Sequence, residues 1–144
     1  MLKTRSIKKV EFKKKTYVLD AKGIRLGKLL TQASELLLGK NDIVASVEYI
    51  PDSNKVIIIN ANEVDIHPTK MDKKFFWHTG YPGGFREITL EKKMQKNVEK
   101  FVKDGIWGML PKNRYGRRLI KNVRVYKDDS VKLPVDYESV QVSK

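Results

Sequence analysis

Cysteine is missing from all 144 residues, which excludes a disulfide framework, a thiolate metal cluster and a cysteine nucleophile. Long apolar runs are missing too. The longest aliphatic stretch is Val56-Ile57-Ile58-Ile59, far short of the roughly 18 residues a membrane helix requires, so no membrane partner is expected. The first residues hold no apolar signal-peptide core. Histidine is scarce: His67 and His78 stand 11 positions apart, outside any HExxH pattern, and no metal site is expected from them. The few serines fall in no G-x-S-x-G elbow. Asp52, Glu63 and Asp72 have no spacing that would bring two carboxylates together. No catalytic residue, cofactor or small-molecule substrate is therefore expected.

What the chain does have is positive charge. Hydrophobic residues make up 40% of it and charged residues 33%, a composition that suits one globular, soluble domain at this length. Its 30 Lys and Arg against 17 Asp and Glu leave a net charge of +13. Residues 1–15 carry Lys3, Arg5, Lys8, Lys9, Lys13, Lys14 and Lys15 against Glu11 alone, a surplus of six. Residues 110–127 carry Lys112, Arg114, Arg117, Arg118, Lys121, Arg124 and Lys127 with no acid, a surplus of seven. The other 111 residues balance at 16 bases and 16 acids. Like charges gathered beside a neutral body repel one another unless a counter-charged partner offsets them, and a polyanion fits that need.

Hydrophobic periodicity orders the rest of the chain. Residues 1–15 have none and form a basic arm; residues 16–127 read as one α/β domain, and residues 128–144, with Pro134, as an irregular tail. Thr16–Ala21 reads as a strand. Leu26, Leu29, Leu30, Ala33, Leu36 and Leu37 then form one helical stripe, with Gly39 as its stop. Lys55–Asn60 is a strand apolar on both faces, as expected in a parallel sheet covered on both sides, and strand, helix and strand together make a βαβ unit. Residues 64–67 and 73–79 are shorter strand candidates. From Thr89, a plausible N-cap, Leu90, Met94, Val98, Phe101 and Val102 keep helical spacing up to Asp104-Gly105. Gly108-Met109-Leu110-Pro111 breaks that pattern; residues 113–122 read as a short basic helix and Val123–Tyr126 as the last strand.

Three stretches invite a chemical reading. Gly23-Ile24-Arg25-Leu26-Gly27-Lys28 lies where phosphate loops lie, but only three residues separate its glycines and Leu29 follows the lysine, so a P-loop is excluded. A strand-to-helix turn is the simpler reading, although amides at the helix start can meet a phosphate. Residues 73–86 interleave bases, aromatics and glycines in a pattern suited to irregular RNA. At least one of Phe75 and Trp77 is expected to be an ordinary core residue, whereas Tyr81, on the Tyr81-Pro82-Gly83-Gly84 loop, is a candidate contact; His78 reads equally as a contact or as a buried structural histidine. The run from Pro111 to Lys121 is the strongest: arginine forks grip phosphate, Asn113 and Tyr115 add donors, and Gly116 permits close backbone approach.

These residues also carry a resemblance. Val18-Leu19-Asp20-Ala21, Leu26-Gly27-Lys28-Leu29, Leu38-Gly39-Lys40, Val56–Ala61, His78-Thr79-Gly80-Tyr81-Pro82-Gly83-Gly84 and Gly108-Met109-Leu110-Pro111-Lys112-Asn113, followed by Gly116-Arg117 and Val123–Tyr126, resemble in order and spacing the family of the thirteenth protein of the large ribosomal subunit. The resemblance implies a three-layer α/β/α domain around a mainly parallel four-stranded sheet. It further implies a non-enzymatic structural role: binding large-subunit ribosomal RNA, meeting neighbouring ribosomal proteins and joining assembly early. Residues 49–54 depart from the family's usual His-x-Asp-x-Gly-Asp pattern, and the loop before them lacks its usual prolines. A bacterial-type length points to the cytoplasmic ribosome of a bacterium or to an organellar one. The candidate RNA-binding residues are Lys13, Lys14, Lys15, Lys28, Lys40, Lys73, Lys74, His78, Tyr81, Lys112, Asn113, Arg114, Tyr115, Arg117, Arg118 and Lys121. Two other functions compete: a nucleotide-dependent enzyme using the crevice at Gly23–Lys28, which micromolar ATP or NAD binding would favour, and a DNA-binding regulator, which a preference for duplex DNA would favour.

Overall fold

The computed structural model describes residues 15–41, 54–129, 134 and 136–140. Lys13 and Lys14, with residues 1–12 of the arm, lie outside the described residues, as do residues 42–53.

Strand β1 (Thr16–Asp20) and strand β2 (Lys55–Ile59) pair in parallel, Tyr17 opposite Val56 and Leu19 opposite Ile58, with helix α1 (Leu26–Leu38) between them in the chain. This is the expected βαβ unit. Helix α1 ends at Gly39, whose φ of 69° is a left-handed conformation glycine adopts without strain. The Gly39 amide donates to the Leu36 carbonyl and the Lys40 amide to that of Glu35, both at 3.1 Å, so the terminal carbonyls are satisfied. Strands β5 (Val123–Val125) and β6 (Glu138–Val140) complete a parallel sheet in the order β5-β2-β1-β6.

Both faces of this sheet are buried. Tyr17, Leu19, Val56, Ile58, Val123 and Val125 join Leu29, Leu36, Val102, Ile106 and Leu119 in the main core. Val18, Ile57 and Ile59 form a second cluster, with Tyr126 against it. Burial on both sides explains why β2 lacks polar alternation. The α/β architecture with a mainly parallel four-stranded sheet is the expected one.

Three local readings change. Residues 64–67 are not a strand: short 3-10 turns flank them at Ala61–Glu63 and Pro68–Lys70, and Arg25–Asp65 is an isolated parallel bridge. Val64 and Ile66 are buried anchors there, and Pro68 cannot donate to a continuing ladder. The strand candidate at 73–79 holds as β3 (Lys74–His78), which pairs antiparallel with β4 (Phe85–Thr89) in a separate two-stranded sheet. The single helix expected after Thr89 is two, α2 (Leu90–Lys96) and α3 (Val98–Met109), broken at Asn97 where φ is −163° and ψ is 96°. Asn97 caps α3 by accepting the Lys100 amide at 2.9 Å, and Thr89 caps α2 by accepting that of Lys92 at 3.5 Å. Helix α3 runs past Gly105, where the absent side chain leaves room for α1: a Cβ would stand 2.8 Å from Leu30 Cδ1. Finally, the tail expected to be irregular supplies β6, so Val123–Val125 is not the last strand.

Candidate nucleic-acid interface

The basic run folds as helix α4 (Arg114–Leu119) and a 3-10 turn, Ile120–Asn122. Gly116 and Leu119 are buried and Tyr115 is half-buried, while Arg114, Arg117, Arg118 and Lys121 are exposed. Positions 114, 117, 118 and 121 fall on one helical face, so the packing of the other face turns four cations outward together. Asn113 is the N-cap, its Oδ1 accepting the Gly116 amide at 2.9 Å. Gly116 is needed for an internal contact: a Cβ there would strike the Pro111 carbonyl oxygen. The close backbone approach that the structure has at Gly116 is to the protein's own chain at Pro111. Lys112, though exposed, folds back on the protein's own chain as well. Its Nζ donates to the Trp107 carbonyl at the end of α3 and lies 4.3 Å from the Trp107 ring centroid. Tyr115 packs against the core.

Lys121 also belongs to a cleft of about 330 Å³ lined by Thr16, Lys55, Ile57, Asn122, Arg124, Tyr126 and Pro134. Its three cations, Lys55, Lys121 and Arg124, face no carboxylate among these lining residues. Arg124 sits opposite Ile57 in the β2–β5 ladder, which sets it beside the second sheet face. The cleft therefore extends the α4 stripe onto the edge of the sheet. Lys15 is half-buried at the start of β1, its carbonyl accepting the Lys55 amide at 2.9 Å. Lys28 and Lys40 are exposed on α1 and just after it.

The turn at Gly23–Lys28 is an ordinary strand-to-helix connection. The Leu26 amide, first in α1, donates to the Asp65 carbonyl at 3.0 Å, and the Gly23 amide to that of Glu63 at 2.9 Å. The amides of Gly23 and Leu26 are thus engaged within the fold and are not offered to a phosphate.

The β3–β4 hairpin is the second cluster. Tyr81-Pro82-Gly83-Gly84 is a tight turn with the Gly84 amide donating to the Tyr81 carbonyl at 2.8 Å and Gly83 at a φ of 71°. Proline second and a positive-φ glycine third mark a type II turn. His78 Nδ1 accepts the Gly80 amide at 2.9 Å, which leaves the proton of the neutral ring on Nε2. Tyr81 projects from the tip, 76% exposed. Lys73 lies 5.7 Å from the Phe75 centroid, and Lys74 pairs with Glu87 across the hairpin at 3.2 Å. Phe75 packs on the core, as expected of one of Phe75 and Trp77, whereas Trp77 is 50% exposed. Phe76 and Phe85, each 60% exposed, stack at 5.7 Å. These two, with Trp77, Arg86, Lys55 and Arg124, were missing from the expected site. A strand-like Phe85-Arg86-Glu87-Ile88-Thr89 just after Gly83-Gly84 was the signal for the hairpin.

The model of the ribosomal protein L13 family matches residues 14–132. Similar proteins are the large ribosomal subunit protein uL13 of Thermotoga petrophila, 38% identical over 86% of this chain and 83% of that protein, and that of Thermoanaerobacter sp., 37% identical over 88% of each. The protein of the same name from Streptomyces avermitilis is 35% identical over 99% of both. The chain belongs to the ribosomal protein L13 family. L13-family proteins are structural components of ribosomes and not enzymes, which removes the nucleotide-dependent enzyme as a reading. The match covers β1 through β5, so the α4 stripe, the hairpin and the three cations of the cleft all lie inside the L13 region.

Proposed function

We propose that this L13-family chain binds large-subunit ribosomal RNA through the α4 stripe, the adjoining cleft and the hairpin, and that it joins the subunit early in assembly beside neighbouring ribosomal proteins. Family membership makes it a structural constituent of the large subunit, and its bacterial relatives are components of the cytoplasmic ribosome. One observation carries the RNA reading: Arg114, Arg117, Arg118 and Lys121 share an exposed helical face within a stretch, 110–127, that contains no acid. Such a face releases counterions from a phosphate backbone, and its affinity falls steeply with salt. The basic arm 1–15 would add to the same effect, and the body 16–127 would act as one domain positioning both.

Reversing Arg117 and Arg118 to Glu is expected to weaken binding to large-subunit ribosomal RNA at least about tenfold at physiological salt. Reversing Lys92 and Lys96, exposed on α2, should change it less than about twofold. Lys93 is unsuited as a control, since it pairs with Asp104 at 3.6 Å and lies 4.7 Å from the Phe75 centroid. Filter binding checks this, with duplex DNA at matched salt as the competitor. Cells carrying only the Arg117→Glu, Arg118→Glu chain should accumulate slow-sedimenting large-subunit precursors. Equal losses from the two pairs of reversals, or tighter binding to DNA, would overturn the reading.

A further inference from the structure

We infer that the β3–β4 hairpin is a two-sided aromatic blade that takes unpaired RNA bases, one stacked on Trp77 beside Arg86 and another on the Phe76–Phe85 pair. This rests on the RNA-binding reading above and specifies which part of the RNA the hairpin meets. Side chains alternate across a strand, and directly paired residues share a face. Phe75, Trp77, Arg86 and Ile88 therefore occupy one face, and Phe76, His78, Phe85 and Glu87 the other. Near the base of the hairpin the first face is anchored: Phe75 packs on the core and Ile88 is half-buried. Beyond that point the anchoring stops. Phe76, Trp77 and Phe85 are 60%, 50% and 60% exposed, with rings on both sides of the same two strands.

A single flat surface covers one side of such a blade and leaves the other wet. Insertion between bases covers both, because every base offers a flat π face. Charge argues for the same occupant. Lys74 is neutralised by Glu87 on the Phe76 side, whereas Arg86 stands cross-strand from Trp77 and has no acidic partner among the described residues. A cation beside an exposed indole suits a base with its phosphate attached. Preorganisation comes from the type II turn and from the Gly80 amide on His78 Nδ1, which fix the tip before any partner arrives.

The probe is purified large-subunit ribosomal RNA, titrated into the full chain while indole emission is read. RNA is expected to quench emission in the wild type but not in Trp77→Phe, where only Trp107 reports. Trp77→Ala should lose about tenfold in affinity, within the range of one lost base stack, with an unchanged salt slope and an unchanged melting curve. Trp77→Phe should recover most of that loss. Binding of Trp77→Ala within about twofold of the wild type would overturn the inference, as would emission that responds to added large-subunit proteins and not to RNA. The broader reading fails separately, if Arg117→Glu, Arg118→Glu binds RNA as the wild type does.

Discussion

Asn113 shows how one residue of a basic run can work for the fold that displays its neighbours. Its Oδ1 takes the Gly116 amide, one of the orphan donors at the start of α4, so the side chain holds in place the helix that displays Arg117 and Arg118. Replacing it with Ser, also a good N-cap, should preserve both stability and RNA affinity. Replacing it with Ala should cost about 1 kcal/mol of stability, read from the midpoint of urea unfolding, and should weaken RNA binding as α4 frays. If Ser kept the midpoint but lost affinity, the carboxamide would be touching RNA itself. Lys112 and Gly116 follow the same logic: each lies in the strongest basic motif, yet one lies over Trp107 and the other packs against Pro111.

At the level of elements, what could be read in advance was what periodicity controls. Six apolar positions on one stripe specified α1, and the unbroken Val56–Ile59 run specified a strand buried on both sides. The break at Asn97 was hidden because Leu90, Met94, Val98 and Phe101 keep helical spacing straight through it; the apolar face continues across two helices that the backbone separates. Strand β6 was hidden for the opposite reason. Glu138–Val140 has three residues, too few to show alternation, and is a strand because β1 offers it an open edge. Ending the chain at Tyr137 should therefore cost about 2–3 kcal/mol, from three ladder positions at about 1 kcal/mol each. Denaturant unfolding measures the loss. The bared β1 edge should also raise aggregation, measured by light scattering. As for the site, charge made α4 legible from composition alone, while exposure of Trp77 and Phe76 depended on β3 pairing outside the main sheet, which local pattern does not reveal.

For the molecule as a whole the decisive property is a neutral body with its surplus charge set in two places. One is the described stretch 110–127, and the other is the arm at 1–15, all but Lys15 of which lies outside the described residues. If both lie on phosphates together, their contributions to counterion release add, because groups far apart without shared partners act independently. Neutralising Arg117 and Arg118 to Gln should flatten the slope of log affinity against log salt by about 1.4–1.8, at roughly 0.7–0.9 per phosphate contact. Deleting residues 1–14, which carry six bases and one acid, should flatten it by up to about 4–5 on the same basis. The combined variant should then show the sum of the two. A combined slope no flatter than that of the deletion alone would mean that arm and helix compete for the same phosphates, so that the two basic segments serve one contact and not two.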